Sequence, residues 1–189
     1  MRRPHVPDAS GFTLIEACLL LSGLGIFLAM AAPAFVDALR TSKTAEAGEL
    51  LGRMVRGANA YYVAFHDVET QEGTRKRGQC LPPDAGPVPS VPGPDAQTID
   101  FGAETTPGAE TWTALGFEPP HPVHYAYSFT PTATGCMLAD GATKPTIVHF
   151  VARGDLDGDG TLSEFRRVGT AGPTGLELDP LLVVDRRVE

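Results

Sequence analysis

The sequence predicts an α+β protein: a long N-terminal helix, first apolar and then amphipathic, packed on a C-terminal antiparallel β-sheet. Three observations carry this expectation. Residues 12–36 form an apolar run holding a single charge, Glu16. Beyond it, Leu51, Met54, Val55, Ala58, Tyr61, Tyr62 and Phe65 recur at three- and four-residue spacing, which draws one apolar helix face. From residue 123 the period changes to two. Val123, Tyr125, Tyr127 and Phe129 alternate with His124, Ala126 and Ser128, as in a strand with one buried face. A helix with an apolar stripe and a sheet with an apolar face bury one another as stacked layers.

At about 1.5 Å per residue, the run 12–36 is long enough to span a bilayer core of roughly 30 Å. It is too long for an ordinary secretory signal, it contains Glu16, and no small-residue cleavage site opens a polar region directly after it. A carboxylate near one end of an apolar helix costs a few kcal/mol unless it finds a partner, so Glu16 is a candidate functional residue. The alternative is that it stays hydrated at the interface. Gly23, Gly25 and Pro33 are helix breakers, costing about 1 kcal/mol for each glycine and about 3 for proline. They predict a break in this half, with a plain kink at Pro33 in a membrane-bound chain. In the amphipathic half, Glu46, Glu49, Arg53 and Arg56 lie largely off the apolar face, with Glu49 and Arg53 spaced i, i+4. The whole helix is predicted from residue 12 to about 66. Arg2 and Arg3 precede the span and Arg40 and Lys43 follow it, so charge barely decides its orientation.

The hexapeptide GFTLIE at 11–16, followed by this run and by Pro33, resembles the N-terminal signature of type IV pilins and their relatives. The resemblance is close over residues 1–66 and extends to the remainder only in general layout. It implies a pilin-like fold, a leader at 1–11, a transmembrane and assembly helix at 12–36, and a soluble domain at 37–189. It further implies that a prepilin peptidase cuts after Gly11 and methylates the new N-terminus, Phe12. Glu16 would then pair with the Phe12 amine of a neighbouring copy during filament assembly. The helix would melt locally around Gly23, Gly25 and Pro33 once packed. The leader would be cytoplasmic and the rest exported, in the inner membrane first and in a pilus or periplasmic filament afterwards.

Residues 67–122 read as irregular. Six prolines between 81 and 94 argue against a ladder or helix and predict an extended surface loop. Residues 110–117 are expected to form a helical turn anchoring Trp112, Leu115 and Phe117 in the core. Further strands are predicted at 136–139 and 146–152, with 181–188 closing the edge of a sheet that spans 123–189. Of the three cysteines, Cys18 sits in the apolar run as a small apolar residue, which leaves Cys80 and Cys136 as a disulfide pair in an oxidising compartment. His66, His121, His124 and His149 follow no ligand spacing and read as surface or sheet residues.

Asp155-Leu156-Asp157-Gly158-Asp159-Gly160-Thr161 sets carboxylates at alternate positions and a glycine at the sixth. Calcium takes six to eight oxygens, and this spacing turns three carboxylates toward one ion, with the Thr161 carbonyl and Ser163 or Glu164 as further ligands. The twelfth position is Arg166, where an EF-hand supplies a glutamate, and the flanks look like strands. The alternative is an acidic Asp-Gly hairpin turn. Net charge is −8, and near −9 once a leader of net +1 is removed, which argues against a general nucleic-acid surface. No nucleophile–base–acid set, phosphate loop or zinc signature is present, so the sequence predicts a structural protein and not an enzyme. Within that class, a type II secretion pseudopilin and a membrane-tethered calcium module that never polymerises are the alternatives to a pilus subunit.

Overall fold

The computed structural model describes residues 12–69, 73, 75–133, 135–138 and 146–185. Gly11 and the rest of the expected leader lie outside the described residues, as do Ala139 and residues 186–189. Two compact units are present, Met1–Leu39 and Arg40–Glu189. The architecture is α+β, as the sequence predicts: a long helix α1 (Leu14–Val63) followed by antiparallel strands.

In the first unit, Phe12, Leu14, Ile15, Leu19, Leu24, Ile26, Phe27 and Phe35 are all exposed. The most apolar stretch of α1 is not buried anywhere in the chain, and the helix is long and apolar enough to cross a membrane. Helix α1 runs through Gly23, Gly25 and Pro33 without interruption in the single chain. Pro33 removes only the bond its missing N–H would make to the carbonyl of Ala29, and the ladder on either side continues past it.

In the second unit, the α1 residues Ala47, Leu50, Leu51, Met54, Val55, Ala58 and Tyr62 are buried in one cluster with the sheet. Helix α1 ends earlier than predicted. Phe65, expected on the apolar face, is exposed and opens strand β1 (Phe65–Glu69). The helix terminates where His66 folds back. Its Nε2–H donates to the Tyr61 carbonyl at 2.8 Å and its ring stacks on Tyr61, which satisfies one of the orphan carbonyls of the last turn.

The prediction that 67–122 is irregular is corrected by three strands. Strand β1 pairs antiparallel with β2 (Arg75–Leu81), setting Asp67 opposite Arg77 and Glu69 opposite Arg75. Strand β3 (Ala85–Val88) lies within the supposed proline loop. It bonds to β4 (Tyr125–Pro131) only at Ala85 and Val88, with an irregularity between them. Pro87 falls at that irregularity on an edge strand, where a missing N–H breaks no ladder. Strand β2 also pairs with β5 (Gly135–Leu138), completing a small sheet in the order β1-β2-β5.

The main sheet runs β3-β4-β6-β7-β8, with β6 at Ile147–Gly154, β7 at Ser163–Gly172 and β8 at Gly175–Leu178. Strand β9 (Val183–Asp185) pairs with β7, where an edge strand was expected. Tyr125, Tyr127 and Phe129 of β4 and Val148, Phe150 and Ala152 of β6 are fully buried. Ala126 is buried too, so β4 is covered on more than one side. The short helix α2 (Ala109–Ala114) delivers Trp112, and with it Leu115 and Phe117, into the core as predicted. Phe101, Trp112, Phe117 and Tyr127 form a chain of rings with centroids 4.9–5.3 Å apart. Gly57 of α1 makes room for this segment, because a Cβ there would collide with the Leu115 carbonyl.

Candidate functional site

Three places carry polar chemistry, and the first is the start of α1. Thr13 immediately precedes the helix. Its Oγ1 accepts the N–H of Glu16 at 3.3 Å and its hydroxyl donates to the Glu16 carboxylate at 3.4 Å. This is a variant of the capping box, in which an N-cap threonine and a glutamate three residues on satisfy each other. Glu16 is exposed, in the first helical turn where the helix dipole favours a negative charge. Sequence reasoning passed over Thr13, although the T-x-x-E signal was present.

The second place is the Asp loop joining β6 to β7. Asp155, nearly buried, accepts the N–H groups of Gly158 (2.7 Å) and Gly160 (3.1 Å) on its two oxygens. Asp157 accepts the N–H of Asp159 at 3.2 Å, and Asp159 that of Thr161 at 2.6 Å. Gly160 has φ 86°, a left-handed conformation that a side chain would disfavour. The buried Leu156 pins the loop into the core, and Ser163 Oγ–H donates to the Gly154 carbonyl across its neck. Carboxylate oxygens of Asp155, Asp157 and Asp159 lie within 4.8 Å of one another. The cluster could hold a metal ion, and an all-oxygen donor set suits a hard cation. The bond from the Thr161 N–H holds the Asp159 carboxyl below the usual carboxylate range. Arg40 of α1 supplies a counter-charge, its Nη1 lying 3.7 Å from Asp157.

Two expected ligands are engaged elsewhere. Glu164 takes Arg153 Nε at 2.8 Å across the β6–β7 ladder, where register sets the two residues opposite each other. Ser163 closes the neck of the loop. The loop therefore gathers the three aspartates, with Thr161 beside them, and not Glu164.

The third place is a polar knot that the sequence did not suggest. Glu46, expected off the buried face, reaches β4 instead. Its carboxylate accepts the Tyr127 hydroxyl at 3.0 Å, the His124 backbone N–H at 3.0 Å and His124 Nδ1 at 2.8 Å. Burial, and then the adjoining Glu46 charge, drive the Tyr127 hydroxyl pKa far up. Tyr125 beside it is pushed up to about 12, chiefly by burial.

Cys80 and Cys136 face each other in the β2–β5 register and form the expected disulfide, with Cα atoms 4.0 Å apart. Cys18 is a free, exposed thiol. Comparison with known proteins finds no matching family model, no matching curated protein and no matching solved structure.

Proposed function

We propose that this chain is the structural subunit of a type IV pilus or pilus-like filament, cut after Gly11 by a prepilin peptidase and polymerising through α1 with copies of itself. One observation carries this reading: an acidic residue, Glu16, held in the first turn of a helix whose most apolar stretch is unburied. A carboxylate in that position needs a cation, and the methylated amine of Phe12 on a neighbouring copy would supply it. Thr13 keeps the carboxylate at the helix start, close to where such an amine would arrive. Before assembly the chain would sit as a single-pass protein of the inner membrane, with residues 37–189 on the exported side.

The Asp loop favours calcium within this reading, since three converging carboxylates offer the hard oxygen donors that this ion takes. The same loop would serve a type II secretion pseudopilin, or a tethered calcium module that does not polymerise. Glu16→Ala separates a polymerising subunit, of a pilus or of a pseudopilus, from a tethered module that does not polymerise. Membrane insertion should be unchanged or eased, while filament yield should fall by roughly tenfold or more, as expected for losing at least ~1.4 kcal/mol of pairing. Filaments from that variant at wild-type yield would leave Glu16 without an assembly role.

A further inference from the structure

We propose that the cavity between α1 and residues 120–124 is a site for a borderline divalent cation of the Zn2+, Ni2+ or Cu2+ kind, with His124 and His121 as its imidazole ligands. The cavity has a volume of about 380 Å3, and Glu46, Glu49, His121 and His124 line it beside Pro120 and Pro122. Ligand spacing in the sequence argued against histidine coordination; the fold brings two of these histidines to one cavity with two carboxylates.

Glu46 makes the case. Its Oε2 lies 2.8 Å from Nδ1 of His124. A carboxylate accepts, so Nδ1 carries the proton, and in the neutral ring Nε2, on the far edge, is the nitrogen with the lone pair. An imidazole oriented by a carboxylate through one nitrogen, with the other left for a metal, is the usual arrangement around metal-ligating histidines. The same carboxylate also holds the His124 backbone N–H, so this ligand is ordered in advance. His121 is exposed and sits between two prolines, which restrict the backbone that carries it. Glu49 lies one helical turn beyond Glu46. Its pair with Arg53 is on the surface, contributes little, and engages one oxygen, leaving the other for an ion.

Among the described residues only the Asp loop has three such donors already converged on one point. An ion in the cavity would therefore draw His121 and Glu49 inward by side-chain rotation, with water completing the shell. Imidazole donors favour these metals over calcium, and the two sites would divide cations by donor type.

The test is calorimetric titration of ZnCl2 into untagged, full-length, detergent-solubilised protein carrying Asp157→Ala and Asp159→Ala, so that the oxygen loop does not contribute. Electron paramagnetic resonance after CuCl2 addition runs in parallel. We expect saturable Zn2+ binding and nitrogen hyperfine structure on Cu2+. Affinity should fall at least tenfold in His121→Ala and in His124→Ala, and by roughly 10–100-fold in Glu46→Gln, which removes the orienting charge. His121 is exposed, so its substitution leaves the fold intact and keeps the test decisive. Absence of Zn2+ binding in the parent, or binding that survives either histidine substitution, would overturn the proposal.

Discussion

Replacing Glu46 by alanine should destabilise the second unit, Arg40–Glu189, more than any surface charge change, and the size of the effect follows from two of the bonds it loses. The Tyr127 hydroxyl sits on a fully buried side chain and loses its acceptor. The His124 backbone N–H, in a half-buried position, loses its acceptor as well. Each buried group left unsatisfied costs about 1–3 kcal/mol, and the lower end applies to the partly hydrated amide. The total is about 2–4 kcal/mol, or roughly 4–15 °C in Tm for a domain of this size. Trp112, the sole tryptophan, is buried two ring contacts away from Tyr127 and reports the unfolding by fluorescence. Glu46→Gln keeps an acceptor oxygen and should lose only about 1 kcal/mol. Tyr127→Phe in the Glu46→Ala background should cost less than in the wild type, with a coupling of about 1 kcal/mol or more. A Glu46→Ala variant melting within about 0.5 kcal/mol of wild type, the ordinary range for surface substitutions, would refute this reasoning.

Other outcomes follow from the same contacts. The Cys80–Cys136 bridge spans a sequence separation of 56, so its removal by paired serine substitution should cost at most about 4 kcal/mol by loop-closure entropy, read as a lowered Tm. Equal stability of the reduced and oxidised protein would contradict this. Chelation should lower the Tm if calcium holds the Asp loop, and Asp157→Ala should lower it similarly while abolishing the further response to chelator. A melting curve indifferent to calcium would make the loop a plain acidic turn. Tyr125 is raised from 10.0 to about 12 on folding, so the stability it contributes is fully present below pH 10 and is lost as pH rises toward 12. An alkaline titration of the Tyr125→Phe variant should show a shallower loss over that window.

Elements built on strong periodicity were legible. The buried face of α1 at Leu51, Met54, Val55, Ala58 and Tyr62, the Tyr125-Tyr127-Phe129 strand and the Trp112 turn all follow from spacing alone. Strand β7 did not, because Ser163–Gly172 reads as polar and glycine-rich; its conformation is imposed by eight consecutive pairings with β6. Strand β2, with Arg75, Lys76 and Arg77, is likewise held by its partners on either side, including Asp67 and Glu69. The end of α1 depended on a ring folding back over the last turn, which no helix stop signal marked. At the sites, the three aspartates and the cysteine pair were readable because local spacing or simple elimination defines them. Glu46 and His124 were not, since 78 residues separate them and only the packing of α1 on β4 brings them together. Glu164 shows the converse error: close to the loop in sequence, it is turned away by the strand register toward Arg153.

The central claim, that this is a processed filament subunit, is tested most directly by mass spectrometry of the mature N-terminus, on protein extracted from membranes of a peptidase-competent host. The account predicts a chain beginning at Phe12 with a methylated α-amine, and an unprocessed but membrane-inserted chain when Gly11 is replaced by a bulky residue. A wild-type protein that retains its residues 1–11 in that host would contradict it.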